Sequence, residues 1–207
     1  LVDPGMQRLA ARGAVLSSIE LQRAAKARAE MAIRLQRLHE DRRVPPPLRA
    51  ALAQVVSRNL REMATLGGLV GSRYVHSDVI PMLVALDAKL VLAGPGGART
   101  VRVADHAAKP VPGLITTAPE PPARRVAACR AIRASGNGRS IASAAVSATL
   151  SRGLVKSPIV AVGGMARSVL RLAPVERALA GRPLPPLDEV HALASRAVRP
   201  GDSLEGS

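Results

Sequence analysis

Arg61-Glu62-Met63-Ala64-Thr65-Leu66-Gly67-Gly68-Leu69-Val70 opens a stretch that runs on to Ala88, and its reading decides the fold. At its centre a threonine precedes two adjacent glycines. With no Cβ, Gly67 and Gly68 can take φ > 0 at low cost and leave their backbone N–H groups uncovered by side chains. Such a turn can form an anion-binding concavity that a phosphate or a flat ring approaches closely. Taken alone, Thr-Leu-Gly-Gly is more often an ordinary turn.

Apolar residues enter and leave this turn. Leu48, Ala51, Leu52, Val55, Val56, Leu60 and Met63 recur at steps of three and four, which predicts one helix over 48–63. Val79–Ala85 is apolar and predicted helical, with Pro81 near its start, where proline is tolerated. Residues 88–92 read as a strand, 94–97 as a Gly-rich turn and 99–103 as the partner strand. Residues 104–122, with Pro110, Pro112, Pro119, Pro121 and Pro122, read as loop.

Upstream, 6–11 reads as a turn of helix and 14–18 as a short strand. Residues 19–43 are rich in good helix formers. Leu21, Ala24, Met31, Leu35 and Leu38 fall near one face, interrupted by Arg28, and Asp41 to Pro47 ends the helix. Downstream, 141–150 and 154–162 read as antiparallel strands joined by Ser151-Arg152-Gly153, with Gly163-Gly164 breaking the second. Residues 175–180 and 187–197 read as helices; Gly181 and Pro183 stop the first, and Asp188 and Glu189 suit the start of the second.

The chain of 207 residues contains no Phe and no Trp, and Tyr74 is its single tyrosine. Its core must therefore be built from Leu, Val, Ile, Met and Ala, a less sharply specified packing that raises the question of whether the chain folds well by itself. Lys and Arg number 30 against 15 Asp and Glu, a net charge of +15. Such a balance suits a nucleic acid, an acidic membrane face or an acidic partner subunit. The basic residues are spread along the chain, and the aromatic platforms that stack single strands are missing, which argues against nucleic acid. Cys129 is alone, so no internal disulfide forms. His39, His76, His106 and His191 show no metal-ligand spacing. No apolar run reaches the ~18 residues of a spanning helix. A start at Leu1-Val2-Asp3-Pro4, without Met or a signal-like segment, suggests a chain beginning inside a longer product in the cytoplasm.

Two motifs in order carry a family resemblance. Arg61-x-Met63-Ala64-Thr65-Leu66-Gly67-Gly68, Asp78 ten residues beyond, and Ala85-Leu86-Asp87-Ala88 resemble the flavin subunit of the molybdenum hydroxylases, which include xanthine dehydrogenase and carbon monoxide dehydrogenase. Ala161-Val162-Gly163-Gly164-Met165-Ala166, followed by Glu176-x-Ala178-Leu179-x-Gly181-Arg182-Pro183, resembles the C-terminal domain of the same subunit, most of all the small subunit of xanthine dehydrogenase. The resemblance implies an α+β fold. Residues 1–112 would be the second half of a PCMH-type FAD-binding domain, an antiparallel sheet with flanking helices. Residues 123–207 would be a small C-terminal antiparallel sheet plus helices, with 113–122 as the boundary.

The same resemblance implies FAD as cofactor, a molybdopterin-binding subunit and an iron–sulfur subunit as partners, and NAD or another electron acceptor. It places Thr65, Leu66, Gly67, Gly68 and Leu69 at the pyrophosphate, Asp78 at a polar part of the dinucleotide, and Leu114 or Ile115 against the flavin ring. Arg130, or Arg133, would stand where the family has a basic residue nearby. The chain departs from the family pattern at several points. Leu69 replaces an Asn, Tyr74-Val75 replaces a Ser-Pro pair, Ser140 replaces an acid, and Pro112-Gly113-Leu114-Ile115 lacks a Glu. The family's first phosphate loop has no counterpart in these residues. Thr65 and Asp78 can also be read as helix caps. The competing functional reading is a basic, non-catalytic interaction module that binds a partner subunit or a polyanion.

Overall fold

The computed structural model describes residues 34–55, 57–94, 97–117, 125–136 and 138–198. The strand expected at 14–18 and most of the helix expected at 19–43 lie outside them. Fifteen elements follow in order: α1 (Leu35–Glu40), α2 (Pro46–Ala53), α3 (Arg58–Met63), α4 (Leu66–Ser72), α5 (Val79–Ala85), β1 (Lys89–Gly94), β2 (Gly97–Arg102), α6 (Val103–Ala108), β3 (Leu114–Thr117), β4 (Val126–Arg133), β5 (Ser140–Ser151), β6 (Leu154–Gly163), β7 (Leu170–Arg171), α7 (Ala173–Leu179) and α8 (Leu187–Ala197). The fold is α+β, with two antiparallel sheets ordered β2-β1-β3 and β4-β5-β6-β7.

Helix α5 holds the two sheets together. All seven of its residues are buried, and it packs on β4, β5 and β6 as well as on α2 and α6. One aliphatic cluster therefore runs from Leu52, Ile80, Met82 and Leu83 through Leu90 and Leu92 to Ala145 and Ala161 of the second sheet. It contains no aromatic ring, and Tyr74 is exposed. A helix that is apolar on every side belongs in an interior, and this one fills the space between the layers. A smaller cluster, Ala148, Val155, Leu172, Val175 and Leu179, lies under α7.

Several expectations need correction. The helix expected through 43 is not continuous, since Arg34 is extended and bridges Thr65 before α1 begins. The single helix expected over 48–63 is two. Ser57 accepts the Leu60 N–H at 3.1 Å and so starts α3 afresh. The carbonyls freed behind α2 are taken by cations, Arg61 on Val55 O at 2.7 Å and Arg133 on Gln54 O. Residues 104–122 are not all loop, because α6 and β3 lie within them. The strand expected to run to Val103 stops at Arg102, and Val103 instead opens α6 and is fully buried. β3 pairs with β1, so the first sheet extends to Thr117, beyond the residue 112 expected to close it. β4 was not expected at all. The β5–β6 hairpin matches expectation: Arg152 (φ 52°) and Gly153 (φ 76°) both take the left-handed conformation that a two-residue hairpin turn requires.

Candidate functional site

The Thr65–Gly68 turn is the first turn of a helix. Thr65 is the N-cap of α4, and its Oγ1 accepts the Gly68 N–H at 3.1 Å. Neither Gly67 nor Gly68 is at positive φ. The expected conformational reason for the glycines therefore fails, and at Gly68 a spatial one replaces it. A Cβ there would stand 3.0 Å from Thr65 Oγ1 and crowd the cap. Gly68 is exposed, Gly67 and Leu69 are partly exposed, and Leu66 is buried in the main cluster. The Thr65 oxygen is used as an acceptor, which leaves its own O–H free to donate outward. Helix amides beside an exposed hydroxyl suit a phosphate oxygen.

Arg61, the first residue of the motif, holds this turn from behind. It donates to Gln36 Oε1 at 2.7 Å and to Val55 O at 2.7 Å, fixing α3 to α1 and to the end of α2. On the other side α4 lies against β3, whose backbone runs from Leu114 and pairs Ile115 with Leu92 of β1. Thr65 to Leu69 and the Leu114–Ile115 segment are thus brought to neighbouring elements. Just before β3, Gly113 sits at φ 143°, and a Cβ there would lie 3.1 Å from both Ala93 O and Leu92 Cβ.

Asp78 and Arg130 are placed elsewhere. The Asp78 carboxylate is 8% exposed and is occupied by the chain's own groups: Ser140 Oγ donates to Oδ1, and Arg133 Nη2 to Oδ2. Burial pushes this carboxyl above its ordinary value, while Ser140 and the Arg133 charge pull the other way. Asp78 makes no side-chain cap on α5. Ser77 caps it instead, with Oγ 3.2 Å from the N–H groups of Val79 and Ile80. Arg133 also donates to Gly138 O at 3.1 Å, so one guanidinium joins β4, the β4–β5 turn, α2 and Asp78. Arg130 lies on the exposed face of β4. Sequence reasoning named Arg133 only as an alternative to Arg130 and read Ser140 as a missing acid. The retained Asp78 was the one available signal that something must neutralise it.

The downstream glycine pair is explained by close packing. A Cβ on Gly163 would lie 2.7 Å from Ser143 Oγ and 3.0 Å from Val75 O. Gly164 (φ 80°) donates its N–H to Val75 O at 2.9 Å, and a Cβ there would fall 2.0 Å from Ile141 O. Glu176, in the second motif, is buried. It accepts the Val160 N–H at 2.9 Å and Arg171 Nε at 2.8 Å, fastening α7 to β6 and β7. Cys129 is half-buried beside Gln54 Nε2 at 3.2 Å, and burial pushes its thiol up. Among the described residues no cluster of three His, Cys, Asp or Glu could hold a metal ion.

Residues 13–114 match the FAD binding domain in molybdopterin dehydrogenase, and residues 127–207 match the CO dehydrogenase flavoprotein C-terminal domain. The chain belongs to the flavin-subunit family of the molybdenum hydroxylases. FAD is the cofactor around which the first of this family's two domains is organised. The first match reaches back to residue 13, well upstream of the motif that begins at Arg61. Among curated relatives, the uncharacterized protein YgfM of Escherichia coli K12 is 35% identical over 175 residues, 84% of this chain and 62% of that protein. The chain thus spans less than two thirds of the relative's length. Three solved structures share the fold. Carbon monoxide dehydrogenase from Hydrogenophaga pseudoflava gives a TM-score of 0.73 at 22% identity, covering 86% of this chain and 66% of that one. Quinoline 2-oxidoreductase from Pseudomonas putida 86 gives 0.75 at 19%, covering 86% and 66%. CO dehydrogenase from Oligotropha carboxidovorans gives 0.73 at 24%, covering 84% and 65%.

Proposed function

We propose that this chain holds FAD as the electron-relaying flavin subunit of a molybdenum hydroxylase of the xanthine dehydrogenase type. The observation that carries the reading is the capped start of α4, exposed at Gly68 and lying beside β3, in a chain whose residues 13–114 and 127–207 match the family's two domains in order. Thr65 would donate its hydroxyl to a pyrophosphate oxygen, with the first-turn amides at Leu66 and Gly67 facing the same charge and Gly68 N–H holding the threonine in place. Leu69 stands where a side chain with hydrogen-bonding capacity would otherwise sit, and its apolar surface would exclude water. Leu114 and Ile115, on the neighbouring strand, would support the flavin ring.

Bound FAD would supply reversible two-electron chemistry between the iron–sulfur clusters of one partner and NAD or another acceptor. Residues 1–112, with β3 of the following stretch paired back onto them, and residues 123–207 are the proposed domains, and the molybdopterin-binding and iron–sulfur subunits are the proposed partners. Asp78 supports the reading indirectly: its oxygens already hold Ser140 and Arg133, so it would steady the α5 end rather than carry the dinucleotide alone. Arg130, exposed on β4, would reach the flavin only from the outer face of its sheet. No helix among the described residues is long and apolar enough to cross a membrane, which suits the proposed cytoplasmic setting.

Titrating the purified chain with FAD, followed by quenching of flavin fluorescence and by the flavin absorption bands, tests this. Saturable binding that Thr65→Ala weakens supports it. A chain that leaves FAD fluorescence unchanged refutes it. The competing basic-module reading rests on the +15 charge, and a steep fall of partner binding with salt would mark it.

A further inference from the structure

Arg73 closes α4 in the left-handed conformation (φ 52°), and its backbone N–H bonds Val70 O. Its guanidinium crosses to another helix end: Nε and Nη2 donate to Ala107 O at 3.0 and 2.8 Å, and Nη2 to Ala108 O at 3.1 Å. These are the last carbonyls of α6, which have no acceptor role left inside that helix. A cation at a helix C-terminus is also favoured by the dipole. One side chain therefore terminates two helices. The first begins at Thr65 and the second leads, through 109–113, into β3.

We infer that Arg73 is a positioning residue for the dinucleotide site, setting the spacing between the Thr65 turn of α4 and the β3 segment across from it. The inference rests on the FAD reading given above. It concerns a residue that neither family motif contains.

A second contact makes the role testable apart from bulk stability. His106 immediately precedes those two residues, is 6% exposed, and accepts the Val111 N–H on Nδ1 at 3.4 Å. Its Nε2 is buried with no partner among the described residues. An imidazole that accepts on Nδ1 must be neutral. Burial, and then the Arg73 charge, lower its tendency to take a proton. The charged residues of its own helix and of the elements packed on it are Asp105, Lys109 at the C-cap, Arg99 and Arg102 of β2 and Arg171 of β7, with Arg73 reaching in from α4; α5, packed on the same helix, carries none. Arg102 is engaged by Asp87 at 3.8 Å and Arg171 by Glu176 at 2.8 Å. Arg73 thus adds its charge to the burial that keeps His106 neutral, and so helps to keep Val111 bonded in the approach to β3. Protonated His106 would present N–H at both nitrogens and release Val111.

The sign follows from the lowered value. Neutral His106 contributes stability that is full above the ordinary imidazole value and falls away as pH drops below it. Removing Arg73 lets the folded ring protonate at higher pH, so the Val111 bond is given up sooner even though the stability lost to acid becomes smaller.

The test is FAD affinity of the purified chain at pH 8 and pH 6, by flavin fluorescence, for wild type, Arg73→Ala, Arg73→Lys and the remote control Arg182→Ala. Arg73→Ala is expected to weaken FAD about tenfold at pH 8, the equivalent of about 1.4 kcal/mol, and to show a larger pH 6 to pH 8 ratio than wild type. Arg73→Lys keeps the charge and loses the fork, so it should bind more weakly than wild type with the wild-type pH ratio. Arg182→Ala should match wild type. The inference is overturned if Arg73→Ala binds as wild type, or if Ala and Lys variants lose equally with unchanged pH ratios, which is the pattern of plain structural damage. Should Arg73→Ala fail to fold, the Lys variant decides: wild-type affinity in it overturns the inference. Wild type that ignores FAD at both pH values overturns this inference together with the FAD reading, whereas wild-type binding with unaffected variants sinks the inference alone.

Discussion

Replacing Arg133 with Met should cost this fold more stability than any other surface-to-core polar change in the chain. Its guanidinium side chain is 16% exposed and faces an Asp78 side chain that is 7% exposed. Methionine preserves the apolar stem but strands three acceptors: the Asp78 carboxylate, Gln54 O and Gly138 O. Ser140 alone then remains on a buried negative charge. Breaking a buried pair from one side costs about 3–5 kcal/mol, because the partner's desolvation is no longer offset. The deficit should depend on pH. With Arg133 gone the Asp78 carboxyl is pushed further up, and a raised carboxyl loses its contribution as pH rises through its folded value. The variant should therefore be worst at pH 8 and recover part of the loss at pH 5. Asp78→Asn should cost less, about 1–3 kcal/mol, since Arg133 keeps two carbonyl acceptors. The double variant should be clearly better than the sum of the two, with a coupling of about 2 kcal/mol. Urea unfolding followed by far-ultraviolet circular dichroism measures all four proteins. An Arg133→Met cost below about 1 kcal/mol, or strictly additive costs, would show that the pair does not clasp β4 to the start of α5.

The remaining predictions concern separate elements. Thr65→Ala should lower stability by about 1 kcal/mol through loss of the α4 cap, and Thr65→Ser should restore it; thermal melts decide. Gly68→Ala should act through the same oxygen, its Cβ meeting Thr65 Oγ1 at 3.0 Å, and should be partly relieved when combined with Thr65→Ala. Gly164→Ala should abolish folding, because φ 80° is strained for alanine and the new Cβ overlaps Ile141 O; soluble, fully folded protein would contradict the placement. Cys129 should react slowly with a disulfide reagent at pH 7.5 and fast only after unfolding, since burial keeps the thiol protonated.

Much of this fold is written in local patterns. Val79–Ala85 is a continuous apolar run with no polar face, and only burial on all sides suits it. Arg152-Gly153 between two alternating stretches marks the hairpin, and Asp188 with Glu189 marks the start of α8. What stayed illegible depends on contacts far apart in sequence. The break between α2 and α3 interrupts a perfectly good helical period, and it is held open by Ser57, Arg61 and Arg133, the last from another sheet. β4 reads Val-Ala-Ala-Cys-Arg-Ala-Ile-Arg, where alanine and arginine suit a helix as well as a strand, and pairing with β5 settles it. At the site, the motif identified Thr65 and the glycines correctly as special. It could not show that Gly68 is special for the room it leaves the threonine. Asp78 was legible as important, but its partners Ser140 and Arg133 lie 62 and 55 residues away.

Helix α5 packs on three strands of the second sheet while the aliphatic cluster it anchors runs on into β1 of the first, and this constrains how such chains can be recombined. A chimera joined between Thr117 and Arg125 would graft a foreign β4–β7 layer onto a helix shaped for another. At Gly163 an added Cβ would stand 3.1 Å from Pro81 Cγ, and Ala145 and Ala161 keep the rest of that face small, so a relative carrying larger side chains there would push the helix off the sheet. Exchange of the C-terminal module between members of this family should succeed only when residues 75–85 travel with it.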